Sequence, residues 1–241
     1  MSAPGATATS SAERLRLLEL GSITVKGRMP WASNATFLVE LGLDGATVPA
    51  VYKPERGERP LWDFPPGVFR REVAAYHFSE ALGWELVPPT VERRGPYGDG
   101  SFQLFIEADF EQHYFTLRDA PAHHARLKRL CVFDLLANNA DRKSGHCLLG
   151  ADSVIYAIDN SLCFHAEPKL RTVIWDFGGE LVPGELLDGV RRFLRARVPE
   201  PLRSLLAPAE QEALLARARR VVAEGIFPVD TGGRAYPWPL V

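Results

Sequence analysis

The sequence predicts an α+β protein in two lobes, the first half rich in strands and the second in helices. Two textures carry this reading. From Leu17 to Tyr52, apolar and polar residues alternate in short runs broken by Gly and Pro, the period of half-buried strands. After residue 108 the runs take helical spacing, over Pro121 to Leu136 and again in two or three segments from Leu181 to Ala223. The chain is long enough for both: 241 residues, 46% of them apolar, can bury one large core or two smaller ones. The boundaries follow as a disordered leader over 1–12, a strand-rich N-lobe over 13–108 and a helical C-lobe over 109–241, with a cleft between the lobes.

Taken in order, residues Met1 to Ala12 are rich in Ser, Ala, Thr and Gly, too poor in large apolar groups to order themselves. Strands are predicted at Ile23–Lys26, Thr36–Leu41 and Val48–Lys53. Asp44-Gly45 marks the hairpin joining the last two, because both positions of that turn need a positive φ. A loop over Pro54–Gly67, heavy in Pro, Arg and Glu, leads into a helix over Val68–Leu82. Its Val73, Tyr76, Phe78 and Leu82 fall roughly on one face, and Gly83 stops it. Thr90–Glu92 and Ser101–Ile106 read as two more strands around the turn-forming stretch Gly95–Gly100. The tail from Phe227, with its Pro, Gly and Trp, reads as an irregular strap.

Composition excludes several classes. A net charge near −2 gives no global basic field for nucleic acid. Cys131, Cys147 and Cys163 form neither a Cys-x-x-Cys pair nor an even set, so they read as small buried residues in a reducing compartment. No apolar run reaches transmembrane length, and the first ten residues lack the basic-then-apolar order of a signal peptide. The expectation is a soluble, cytoplasmic protein without stable membrane insertion.

The chemistry concentrates between Phe133 and Asn160. An apolar helical segment ends in the turn Asn138-Asn139-Ala140-Asp141-Arg142, with the Asp-Arg pair expected to be exposed. The strand-like run Val154–Ile158 then delivers Asp159, 18 residues after Asp141. Two carboxylates on neighbouring turn and strand ends suit phosphoryl transfer, one orienting the attacking hydroxyl and one holding the metal that neutralises phosphate. A strand end is a rigid mount for a ligand that must sit about 2.1 Å from Mg²⁺.

Two weaker signals accompany the pair. Gly27–Asn34, between two strands, could fold over a triphosphate, with backbone N–H groups and the Ser33 and Asn34 side chains as donors. It is no Walker loop, since no Gly-Lys-Ser/Thr opens a helix. Lys53 ends an apolar strand in a chain with only five lysines against 23 arginines. A half-buried ammonium needs an anionic partner, and Glu72 on the following helix is the right kind of residue to hold it toward the α/β-phosphates.

At these residues the chain resembles the phosphatidylinositol 3/4-kinase-like branch of the protein-kinase-like superfamily. Asn139-Ala140-Asp141-Arg142 is similar to that branch's Asn-x-Asp-Arg catalytic loop, and Ala157–Phe164 to the Ile-Asp-Asn-Gly-Leu-x-Phe run of type II phosphatidylinositol 4-kinases. HipA-type kinases share the layout, and Trp62–Pro65 and Val87–Thr90 resemble segments of a small actinobacterial family. The resemblance implies a bilobal protein-kinase-like fold and ATP with Mg²⁺ or Mn²⁺ as cofactors. It gives Asp141, Lys53 and Glu72 catalytic roles, Ser33, Asn34 and Lys53 the phosphates, and Gln103, Leu104, Phe105 and Ile106 the adenine. Asp159 takes the metal. Asp176-Phe177-Gly178 carries the letters of the protein-kinase metal motif, but it stands 35 residues after Asp141 and lacks a preceding apolar strand, so it is rejected.

One position departs from the pattern. Five residues after Asp141 the family places a metal-binding Asn, and this chain has His146. Imidazole is a poorer Mg²⁺ ligand than a hard oxygen. A single-metal site, a Mn²⁺ preference, a silenced kinase and a phosphate-contacting imidazolium all stay open at this point. The functional expectation is an atypical kinase acting on a hydroxyl of a protein or small-molecule acceptor. The alternatives are a pseudokinase module, an AMP-transferring enzyme and a phosphoinositide kinase.

Overall fold

The computed structural model describes residues 10–30, 34–233 and 235–240. The chain divides into two compact units. The first runs as far as Arg59 and takes up Pro89–Phe105. The second holds Pro60–Pro88 and the chain from Ile106 onward.

In the first unit a helix, α1 (Ser11–Leu20), precedes β1 (Ser22–Arg28), β2 (Phe37–Leu43), β3 (Ala46–Pro54), β4 (Thr90–Gly95) and β5 (Gly98–Leu104). The strands form one antiparallel sheet in the order β1-β2-β3-β5-β4. Asp44 and Gly45 close the β2–β3 hairpin with φ of 52° and 82°, as that dipeptide predicts. The register aligns Phe37 with Tyr52 and Phe102, Val39 with Ala50 and Leu104, and Leu41 with Val48 on one face. Lys53 points to the opposite face, beside Val51.

Helix α1 lies on the apolar face. Arg93 sits over the Phe102 ring and donates to the carbonyls of Leu18 (2.9 Å) and Gly21 (3.0 Å), which the helix end leaves unsatisfied. This helix corrects the sequence reading: Leu17 opens no strand, and residues 11 and 12 are helical rather than disordered. Ser10 and Glu13 cap it reciprocally, a Ser-x-x-Glu signature overlooked in the small-residue leader. The turn expected over Gly95–Gly100 shrinks to Pro96 and Tyr97, and the flanking glycines join the ladder. They do so because the Tyr52 ring, stacked on Phe102 at 4.3 Å, crosses them. A Cβ at Gly95 would stand 2.7 Å from that ring, and one at Gly100 2.4 Å from the Lys53 carbonyl.

The second unit contains α2 (Phe69–Leu82), α3 (Tyr114–Leu117), α4 (His124–Ala137), β6 (Cys147–Leu149), β7 (Ile155–Ala157), α5 (Gly184–Ala196), α6 (Glu200–Arg203) and α7 (Pro208–Glu224). Residues 60–88 were expected with the strands, yet they belong here. Phe78 of α2 meets Phe133 of α4, Phe193 of α5 and Phe164 at ring distances of 5.2 to 5.7 Å, so its aromatic face is the centre of the helical core. Strands β6 and β7 pair as a short antiparallel ribbon. The tail is a strap, as read: Thr172 N–H donates to Ala235 O (3.0 Å) and Ser144 N–H to Leu240 O (2.8 Å). The three cysteines are buried and free, and burial pushes the Cys147 thiol up to about 12. Among the described residues no helix is long and apolar enough to cross a membrane.

Candidate active site

The two acids sit on two short segments of the second unit. The first segment begins where α4 ends. Asn138 caps the helix in the left-handed region (φ 54°, ψ 48°). Its carboxamide donates to the carbonyls of His165 and Glu167 and accepts from Lys169 N–H at 2.9 Å, tying down the stretch after Asp159. Asn139 faces inward. Its Oδ1 accepts the Asp141 N–H (2.9 Å) and its Nδ2 donates to Asp134 (3.1 Å).

Arg142 is not the exposed residue the sequence led us to expect. It is wholly buried, with Nε 3.0 Å and Nη2 2.9 Å from the equally buried Asp134 carboxylate. The remaining donors reach the other segment: Nη1 to Ile158 O (2.7 Å) and Nη2 to Asn160 Oδ1 (2.6 Å). Burial alone would pull its proton affinity down, but the Asp134 charge and hydrogen bonds overcome this and hold it charged. One planar, five-donor group therefore ties the Asp141 turn to the Asp159 turn. The need for such a clamp is visible at Asp159, which follows β7 with φ of 53°, sparsely populated for a residue with a side chain.

His146 stands between the acids. Its Nδ1 is 3.0 Å from the Asp141 carbonyl and 3.3 Å from Lys143 N, and its Nε2 is 3.4 Å from Asp159 Oδ2. Donation from Nδ1–H to the Asp141 carbonyl satisfies the shorter contact and turns the Nε2 lone pair toward Asp159. Metal-binding histidines are commonly oriented in this way. Nε2 and Oδ2 are close enough to share one divalent ion at roughly 2.1 Å from each. No group of three or more His, Cys, Asp or Glu able to hold a metal occurs among the described residues. On nucleotides Mg²⁺ is held by one or two carboxylates together with phosphate oxygens. The Asp159 carboxylate is a donor of that kind, whereas the His146 imidazole is a softer partner than Mg²⁺ prefers.

Asp141 itself lies 3.3 Å from Lys143 Nζ. Burial raises its pKa above the ordinary carboxylate value, Asp159 adds to the rise, and Lys143 opposes it. A carboxyl whose folded pKa exceeds its unfolded one costs stability once both states are ionised. Asp141→Asn should therefore melt higher than the wild type at neutral pH. The gap in melting temperature should open as pH rises from about 4, which thermal unfolding across that range will check.

The other sequence-predicted residues fall as follows. Glu72 is buried and its Oε2 accepts the Asn160 N–H at 2.9 Å. Asn34 uses its Oδ1 to accept Arg59 N–H (3.1 Å), closing its own loop, and Ser33 lies outside the described residues. Lys53 is half-buried in β3. Gln103 donates to Thr90 Oγ1 (2.9 Å), while the Leu104 and Phe105 amides donate to the Pro89 and Pro49 carbonyls. Ile106 begins the second unit. Asp176 is taken by Tyr114 Oη and Arg118 Nη1, which gives it a structural occupation. Sequence reasoning missed Asp134, Lys143 and the clamping role of Arg142. Lys143 could have been found, as one of five lysines and two residues from Asp141.

With this geometry the fold can be placed. The structure is similar to that of the proinflammatory kinase CtkA of Helicobacter pylori, with a TM-score of 0.51 and 14% identity, covering 86% of this chain and 94% of that one. At that identity the likeness speaks for the fold, which is kinase-like. A hydra Fam20 structure with sugar matches with a TM-score of 0.49 and 14% identity over 90% of each chain. In sequence, the chain is 40% identical over 256 aligned residues to Protein Rv2133c of Mycobacterium tuberculosis, covering 91% of this chain and 92% of that protein. It belongs to the family of that protein. No protein-family model matches it.

Proposed function

We propose that the protein is an atypical kinase of the phosphatidylinositol 3/4-kinase-like kind, transferring the γ-phosphoryl group of ATP to a hydroxyl of a protein or small molecule. The observation that carries this reading is the bridge from Asp141 through His146 to Asp159. Asp141 accepts the proton of the attacking hydroxyl as its oxygen bonds to the γ-phosphorus and ADP leaves. Its raised pKa brings it nearer the working pH, which favours a general base. Lys143, beside that carboxylate, offsets negative charge on the transferred group. A bound Mg²⁺ or Mn²⁺ would supply further neutralisation of the phosphates, and Asp159 with His146 would hold it. By the family resemblance, Lys53 serves the phosphates and Gln103–Ile106 the adenine.

The acceptor ranking rests on charge. Only Lys169 and Arg171 are basic in the stretch after Asp159, and Lys169 already pairs with Asp63 at 3.1 Å, both nearly buried. Little remains there for a phosphoinositide headgroup. ATP labelled at the α- or γ-phosphate, incubated with protein in Mg²⁺ and in Mn²⁺, tests the reading. Transfer of γ-label to an acceptor or to the protein itself supports a kinase. Transfer of α-label would replace it with AMP transfer, and binding without transfer with a regulatory nucleotide-binding module.

A further inference from the structure

We infer that Glu72 is a positioning residue for the metal carboxylate Asp159, acting through the backbone. This deepens the kinase reading above and rests on it. A glutamate on the helix after a strand lysine reads from sequence as that lysine's partner. Within the second unit, however, Glu72 Oε2 accepts the N–H of Asn160, the residue directly after Asp159, at 2.9 Å. Glu72 is 1% exposed and Asn160 wholly buried, so no water competes for this bond.

The contact lies where the chain needs holding. Asp159 has φ of 53°, and both of its flanking peptides are clamped. Arg142 Nη1 donates to the carbonyl before it, that of Ile158, at 2.7 Å, and Glu72 accepts from the amide after it. The Asn160 side chain locks the same turn, accepting from Arg142 at 2.6 Å and donating to Ala157 O at 3.1 Å. With its own backbone fixed on both sides, the Asp159 carboxylate has only its side-chain torsions free, and His146 faces it at 3.4 Å. Losing the Glu72 acceptor would unclamp one side, allow the turn to relax toward negative φ and swing Oδ2 away from Nε2.

Two roles for Glu72 make opposite predictions about conservative variants. An amide acceptor must have reach and need not have charge, so Glu72→Gln keeps it and Glu72→Asp, shorter by one methylene, loses it. A charge partner for a lysine would be served better by Asp than by Gln. The probe is Mn²⁺, titrated with and without a non-hydrolysable ATP analogue and followed by electron paramagnetic resonance, with analogue affinity measured separately in metal-free buffer. We expect Glu72→Asp and Glu72→Ala to weaken Mn²⁺ binding by about 10- to 100-fold, with Glu72→Gln within about threefold of wild type. Binding by Glu72→Asp that is tighter than by Glu72→Gln, or wild-type binding by all three, would overturn the proposal while leaving the kinase reading intact. The Gln-to-Asp order decides the matter even if Glu72→Ala does not fold. A wild-type protein that binds the analogue but no Mn²⁺ would sink the metal seat itself, and this inference with it.

Discussion

Asp159→Asn should slow γ-phosphoryl transfer at least about a hundredfold, roughly 2.7 kcal/mol of transition-state stabilisation, while leaving the protein folded. Under the proposed kinase mechanism, positioning and charge neutralisation supply most of the catalysis, so removing the anion proposed to hold the metal removes the main contribution. Asn is the informative replacement. It is isosteric, and like Asp it tolerates the positive φ that position 159 adopts, so the turn need not rearrange. The Asp159 side chain is 41% exposed, and its amide successor can satisfy itself with water. Rate loss without a fall in melting temperature is therefore the expected pairing. A variant that keeps full transfer activity would show that Asp159 does not carry the metal. A variant that loses both rate and fold would show that this turn is a structural element first.

Part of this architecture was legible in the sequence because it is encoded locally. Asp44-Gly45 specifies its hairpin by the φ values only such residues adopt cheaply, and Gly83 ends α2 in the left-handed conformation its lack of Cβ permits. Asp141 and Asp159 stood out as candidates in the sequence because each follows a periodic apolar run. What stayed hidden is encoded by distant partners. Arg142 follows an Asn-rich turn and looks like a solvated cation. Only the fold reveals that Asp134, eight residues back on an amphipathic helix, waits for it in the core. The same holds for Glu72 and Asn160, 88 residues apart, whose bond involves a backbone amide that no side-chain pattern announces. Strand β6, paired with β7, is three residues long, too short for any period to show. The displaced boundary around residues 60–88 has the same origin, since the allegiance of α2 is set by where Phe133, Phe164 and Phe193 lie.

The buried Arg142–Asp134 pair should show the largest stability effects in the molecule. Arg142→Met strands a carboxylate that is wholly buried and otherwise served, among the described residues, by Asn139 at 3.1 Å and Thr172 at 3.3 Å. Asp134→Leu strands the guanidinium in turn. Each single change should cost about 3–5 kcal/mol, because an unpaired charge in the interior has lost both water and its counter-ion. That is a large share of the roughly 5–15 kcal/mol by which a folded domain is stable. The double variant, Asp134→Leu with Arg142→Met, removes both charges and fills the space with apolar groups. It should recover most of the stability, giving a coupling of several kcal/mol in a double-mutant cycle read by denaturant unfolding. Activity should not recover with it, because methionine offers no donors to Ile158 O or Asn160 Oδ1, and the Asp159 turn loses its tie to the Asp141 turn. Purely structural use of the pair predicts that rate returns with fold. A double variant that is stable yet inactive would instead identify the ion pair as the device that holds the two acids in register.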